Sequence, residues 1–428
     1  MGDRSGVVGR FRMGVCGAGV AAVLLVLAAP GSAQVETVPR ERPDPATRQE
    51  RFINELLSRG VDSVRTRNKL PALAVAVVES DGVKYLQASG RRVFAEGPEV
   101  GREDPWMITA ASKAMTATLA GALVDEGVIG WETTLSEALP DLAAHPAYGD
   151  ATLEQFLGHR AGIRTADGWV RERVRTVFQL SGAPRVQRLA ASALVLEDEP
   201  AYAPGEGFGF SNFGYTVAAS MMESAAGEPY EGLMRRHVFE PLGMESAGFG
   251  FPGQDGEAGA EPSAPWGHRM SGPNPTASDP ATINADPAAL RPAMGIHCTL
   301  IDFSRFVTQH MRAARRETDG LILEPETFEY LRTRWADDGG VALGWGVMPR
   351  RWAAGRVLRQ TGTNGMWTFD VYIGPEVDVA LIGATNIGSS PLVEESMRSV
   401  LSTAMESAYG GEPPVKPYDV PNTEPSDG

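Results

Sequence analysis

Strand-like sequence stands at the two ends of this chain, with mostly helical sequence between, and that separation restricts the fold more than any composition figure. Near the start, "LAVAVVES" and "VKYLQASG" flank Asp81-Gly82, a pair that tolerates positive φ and predicts a hairpin. Near the end come "GVALGWGVM", "GRVLRQTG", "MWTFDVYIG" and "VDVALIGATN". Between them, residues 110–126, "ATLEQFLGH", "VQRLAASALVLE", "GYTVAASMMESAAG" and "IDFSRFVTQHMRAA" carry helical spacing, and "EESMRSVLSTAMESAYG" closes the chain as another helix. Strands so far apart in sequence are expected to close into one antiparallel sheet, with a helical lobe inserted between them. The fold class is α+β.

The remaining segments divide the chain. Residues 1–33 start with Arg4, Arg10 and Arg12, continue through the apolar "VCGAGVAAVLLVLAAP" and end in small residues, the pattern of a cleaved signal peptide. The apolar run is short of the about 20 residues a bilayer span needs, so no stable anchor is expected after cleavage. Residues 34–47 read as a flexible lead-in. One domain is expected over 48–409, with a sheet lobe at about 48–105 and 293–409 and a helical lobe at about 106–292. Residues 248–292 look like one long loop, and the proline-rich tail 410–428 looks disordered. No internal repeat is found.

Charge and cysteine content exclude some functions. The formal net charge of −15 disfavours nucleic acid and anionic membranes, which reward clustered Lys and Arg. Loss of residues 1–33 would remove three arginines and one aspartate, leaving the rest more acidic still. It would also leave Cys298 as the one cysteine, so stability is expected from packing and not from a disulfide. The six histidines form no H-E-x-x-H pattern, and His297-Cys298 lacks a third nearby ligand, so no metal is expected. "GFGFSNFG" lacks the strand and helix of a dinucleotide site, and no cofactor is expected.

The segment "WMITAASKAMTATLAGALVDEG" places Met115, Leu119, Ala122 and Leu123 on one helical face, with Thr109 as a candidate N-cap and Gly127 as a C-cap. Its Trp106, Ile108, Ser112, Lys113 and Thr116-Ala117 resemble the S-x-x-K region of the serine β-lactamase and penicillin-binding-protein superfamily, in its class C-like, esterase and D-aminopeptidase branch. "TLEQFLGHRAGI" is similar to that branch's leucine-rich block. "PGEGFGFSNFGY" resembles the Tyr-x-Asn motif after a Pro-Gly turn, and "RQTGTNGMW" resembles the basic-residue-x-Gly strand.

The resemblance implies an acylated serine, a lysine that lowers the cost of deprotonating it, a tyrosine that relays protons and a basic residue on the facing strand. At those positions stand Ala110, Lys113, Phe210 and Gln360, with Asn212 matching the motif's amide. Ala110 cannot form an acyl bond, Phe210 has lost the ionisable oxygen, and Gln360 cannot take a proton at neutral pH. The backbone N–H groups of Ala110 and Thr363 are where the resemblance puts the oxyanion hole.

Substitute nucleophiles look poorly placed. Ser112 is roughly 200° around the helix from position 110, Thr109 reads as a cap, and Ser211 is expected to face away from the cleft. The expected function is therefore an exported pseudoenzyme that binds a small-molecule or peptide ligand bearing a carboxylate or carbonyl, possible sources including the cell envelope. An active hydrolase with an unconventional nucleophile (an esterase, D,D-peptidase or β-lactamase-like enzyme) and a purely interacting or structural protein are the alternatives. Lys113, left without a partner, would need a carboxylate, a ligand or a depressed pKa.

Overall fold

The computed structural model describes residues 45–283 and 287–411. The expected signal peptide, residues 34–44 of the lead-in and residues 412–428 of the tail lie outside the described residues. The lead-in is corrected at its end: a helix already starts at Pro45 and runs to Arg67, proline being well suited to a first helical turn because its missing N–H would have no helical partner.

Twelve strands are described. β1 (Ala72–Glu79), β2 (Gly82–Val93) and β3 (Glu96–Glu99) come first. β4 (Trp106–Met107), β5 (Gly248–Phe249), β6 (Gly267–Ser271), β7 (Asn274–Ser278) and β8 (Ile296–Cys298) occupy the middle. β9 (Gly346–Arg350), β10 (Gly355–Thr363), β11 (Thr368–Gly374) and β12 (Val379–Thr385) end the series. The main sheet has the order β3-β2-β1-β12-β11-β10-β9, antiparallel throughout. The two chain ends meet at its centre, where Leu73 pairs with Thr385 and Val78 with Ala380.

Side-chain alternation makes this central pair the partition between two cores. Leu73, Val75 and Val77 of β1 and Val379 and Leu381 of β12 face the helices Pro45–Arg67 and Pro391–Tyr409. Ala74, Ala76 and Val78, with Ala380, Ile382 and Ala384, face the larger core shared with the inserted helices. Both faces are covered, which explains why these strands read as almost continuous apolar runs.

Three local expectations need correction. The first hairpin turns at Ser80 and Asp81, with Gly82 already opening β2, so the turn sits one residue earlier than Asp81-Gly82. "GVALGWGVM" contributes a strand only from Gly346, because Trp345 is drawn into an aromatic nest with Phe306 and His310. Residues 248–292 are not one loop: they hold β5, the β6–β7 hairpin and the short turn Ala288–Leu290, followed by the helical turn Arg291–Met294.

Candidate functional site

The seat of the expected nucleophile is built on stitched backbone. β4 pairs with β8, which pairs with β5, and Ile108 N–H donates to the Ile296 carbonyl at 3.0 Å. The chain then makes a tight turn, Thr109–Ala111, and enters the helix Ser112–Asp125. Residues 292–296 run along the start of that helix. Ser112 Oγ accepts from Ile296 N–H at 3.1 Å, Lys113 Nζ donates to the Ala293 carbonyl at 3.1 Å, and Thr116 Oγ1 donates to the Pro292 carbonyl at 2.7 Å. Ser112 is thus committed to the backbone.

The helix is buried on all sides from Ser112 to Leu123, so it is not the amphipathic element its spacing suggested. The helices Asn212–Ala226, Arg291–Met294 and Pro325–Thr333 pack against it, and small residues such as Gly121, which lies against Thr327 and Leu323, allow that. Thr109 does not cap it. Its φ of 46° is unusual for a β-branched residue, and its buried Oγ1 has no partner among the described residues. The preceding turn supplies the start instead, with Ala111 N–H donating to the Ile108 carbonyl at 3.0 Å.

β10 closes on this seat at a glycine. A Cβ on Gly362 would lie 2.5 Å from Ala110 Cβ and 2.9 Å from Ala110 N, so the strand can press onto Ala110 only without a side chain there. Thr363, next along, is fixed by its turn: its Oγ1 donates to the Trp367 carbonyl at 2.7 Å and accepts from Gly365 N–H at 3.0 Å. Gln360 lies two residues before Gly362, on the same face of β10. Its Nε2 donates to the Gly344 carbonyl, and Gly344 itself packs against Lys113 O and Ala114 Cα.

Lys113 is 2% exposed. Besides the Ala293 carbonyl it meets two ring faces, with Nζ 5.2 Å from the Phe210 centroid and 5.7 Å from that of Tyr215. The Tyr215 hydroxyl is committed elsewhere, donating to the Leu157 carbonyl at 2.7 Å. Burial without a counter-charge pushes the lysine's pKa down to about 7. Phe210 lies over it with 57% of its surface exposed, its ring 4.7 Å from that of His159.

His159 accepts Ser211 N–H on Nδ1 at 3.1 Å. Burial, helped by the nearby Lys113 charge, lowers its pKa to about 3. It is therefore a neutral spacer under Phe210. Sequence reasoning gave it no role, although it stands in "LGHRAGI" just past the short helix Leu153–Leu157, at a φ of 60°.

Beside the seat opens a cavity of about 650 Å³. Phe210, Asn212 and Thr363 line it, whereas Ala110, Lys113 and Gln360 do not. Ser211 borders it too, in an extended conformation with its backbone N–H bonded to His159. Asn212 brings an amide whose buried Oδ1 has no donor among the described residues. Most of the wall is apolar, including Val170, Val174 and Phe178 from the helix Asp167–Val177 and the residue after it, together with Met294.

A family model for beta-lactamase matches residues 53–404, most of the chain. The chain belongs to the beta-lactamase family. Among the relatives of this beta-lactamase-family chain is the D-alanyl-D-alanine-carboxypeptidase/endopeptidase AmpH of Escherichia coli, 22% identical over 361 residues, which are 81% of this chain and 85% of AmpH. Unguisins hydrolase ungD of Aspergillus violaceofuscus is 27% identical over 206 residues, 46% of this chain and 34% of that protein. The penicillin-binding protein 4 of Amycolatopsis lactamdurans is 28% identical over 207 residues, 48% of this chain and 49% of that one. The match thus spans less than two thirds of either of these last two.

Solved structures share the fold. The octameric penicillin-binding protein homologue from Pyrococcus abyssi superposes with a TM-score of 0.65 at 18% identity, covering 86% of this chain and 78% of its own. The D-alanine carboxypeptidase AmpC from Burkholderia cenocepacia superposes with a TM-score of 0.60 at 18% identity, covering 82% of this chain and 98% of its own. The serine β-lactamase-like α+β fold follows.

Among the described residues, no helix of this beta-lactamase-family chain is long and apolar enough to cross a membrane, and no group of three or more His, Cys, Asp or Glu could hold a metal ion. His297 and Cys298 serve packing: the imidazole Nδ1 lies 2.8 Å from the Gly250 carbonyl and the thiol is buried.

Proposed function

We propose that this beta-lactamase-family chain is a pseudoenzyme. It holds a peptide-, carboxylate- or carbonyl-bearing ligand in its cleft without forming an acyl intermediate. The observation that carries this reading is the surroundings of Lys113 Nζ, which meets one backbone carbonyl and two ring faces. The hydroxyl it would serve is missing at Ala110, and the relay oxygen is missing at Phe210. The Tyr215 hydroxyl is spent on Leu157, and Gln360 on Gly344. A lysine so placed has no proton to collect from a nucleophile.

Binding capacity is what the cleft retains. A cavity of about 650 Å³ is within the range of small-ligand sites, and Asn212, Asn364 and Thr363 place polar side chains along its mostly apolar wall. The activities that give AmpH and the carboxypeptidase AmpC their names favour a ligand related to D-alanyl peptides. The signal-like start favours a periplasmic or secreted location and an envelope-derived ligand.

One observation favours the active-hydrolase alternative: Thr109 Oγ1 is an unpartnered hydroxyl beside the seat. It is fully buried, however, and out of reach of substrate. The test compares the parent with the triple variant Ala110→Ser, Phe210→Tyr, Gln360→His on chromogenic esters, D-Ala-D-Ala peptides and a β-lactam. The parent is expected at the uncatalysed rate and the variant above it. Robust turnover by the parent overturns the reading.

A further inference from the structure

The β6–β7 hairpin is one that the surrounding sequence gives no periodic reason to expect, and it is anchored by several contacts. It reverses at Gly272-Pro273, with Gly272 at a φ of 67°. His268, fully buried, holds it to the sheet on three sides. Its Nδ1 donates to the Asn386 carbonyl at 2.8 Å, its Nε2 accepts Phe94 N–H at 3.0 Å, and its own N–H donates to the Met366 carbonyl at 3.1 Å. Gly267 lies flat on Trp367, where a Cβ would come 2.6 Å from the indole.

Alternation along β6 then turns the next residue the other way. Arg269 is exposed, lines the cavity and makes no ion pair or side-chain hydrogen bond among the described residues. Arg171 also lines the cavity, but it is engaged by another interaction. No aspartate or glutamate is among the described lining residues. A chain of formal net charge −15 thus keeps an unpaired guanidinium, on a rigidly held strand, at the edge of an apolar hollow.

We propose that the cavity takes amphipathic monocarboxylates, with the carboxylate at Arg269 and the apolar body between the helix Asp167–Val177 and Met294. The inference rests on the reading of the cleft as a binding site and names its ligand class. Charge complementarity selects the head: a fork of N–H donors fits both oxygens of a carboxylate and gains less from a neutral amide of the same shape, which offers one uncharged acceptor. Val170, Val174, Phe178 and Met294 select the body by removing it from water.

The probes are octanoate, octanamide and octylammonium, titrated by calorimetry into the full chain. Octanoate is expected to bind about fivefold or more tightly than octanamide, and octylammonium weakest. The margin is modest because an exposed arginine is worth on the order of 1 kcal/mol, about fivefold in affinity. Arg269→Gln is expected to abolish the octanoate preference while leaving octanamide unchanged, and Arg269→Lys to keep part of it. Arg350→Gln removes an exposed arginine of β9 that does not line the cavity, and is expected to change neither.

Equal binding of octanoate and octanamide, no binding of any probe, or an equal effect of the two glutamine variants overturns the proposal. The pseudoenzyme reading fails separately, through ester turnover by the parent, and the octanoate contrast can then still be measured as competitive inhibition.

Discussion

The helix side and the hairpin side of the cleft handle charge in opposite ways. On the helix side, Lys113 is enclosed by rings and one carbonyl, with burial pulling its pKa down to about 7. On the hairpin side, Arg269 stands in solvent at the rim of an apolar cavity. On the proposed reading, the first arrangement is a catalytic setting without its reactive oxygens and the second is one that binding can use. Loss of chemistry and retention of a ligand site would then be separable, because different elements carry them.

The largest effect should come from removing the buried amine. Lys113→Met is expected to raise stability by on the order of a few kcal/mol at pH 6, since each unit of pKa depression corresponds to about 1.4 kcal/mol. The sign follows from proton counts. From about pH 7 up to the ordinary lysine value of 10.5, the unfolded chain binds more protons at this position than the folded one. Parent stability therefore rises with pH across that window, and the advantage of the variant shrinks. Urea unfolding at several pH values checks this, and a destabilised variant would show that the Ala293 carbonyl and the two rings outweigh the cost of burying the charge.

A smaller loss is expected from Gly362→Ala, about 1–3 kcal/mol, as the new methyl group is forced onto Ala110. An unchanged melting profile would mean that β10 does not press on the seat. His268→Ala should cost about 1–2 kcal/mol by freeing the Asn386 and Phe94 backbone groups.

The same histidine makes an acid limb. Burial lowers its pKa to about 4, so its contribution is present above about pH 6.5 and is lost as pH falls from there to about 4. His268→Ala should flatten that limb. His159 and His310, both lowered by burial to about 3, would keep part of it. The smallest stability change should be that of Phe210→Ala, under about 1 kcal/mol because the ring is largely exposed. Its signature is elsewhere: uncovering Lys113 should move the amine's titration up towards 10.5, measurable by NMR.

Much of the frame was legible in the chain itself. β1 and β12 alternate between two cores, so their apolar runs announced central strands, and the order of the blocks announced a sheet closed by both ends. The proposed nucleophile seat was legible only through resemblance, since nothing in "TAASK" alone singles out position 110. His159 is silent in its block, because a neutral packing histidine has no spacing signature. The hairpin was lost for a different reason. "GHRMSGPNPTAS" has no apolar alternation to read, because it is held by His268's bonds to Phe94, Met366 and Asn386 and by packing on Trp367, all far away in sequence, and the one local signal was Gly272-Pro273. Arg269 could not be assigned to the cavity until that hairpin was in place.

The most direct test of a cleft that binds without acylating is intact-protein mass spectrometry of the full chain after prolonged incubation with a reactive β-lactam. The triple variant Ala110→Ser, Phe210→Tyr, Gln360→His is run alongside as a positive control. The expected result is an unchanged mass for the parent and a single β-lactam adduct on Ser at position 110 in the variant. A stoichiometric adduct on the parent, at any residue, would contradict it.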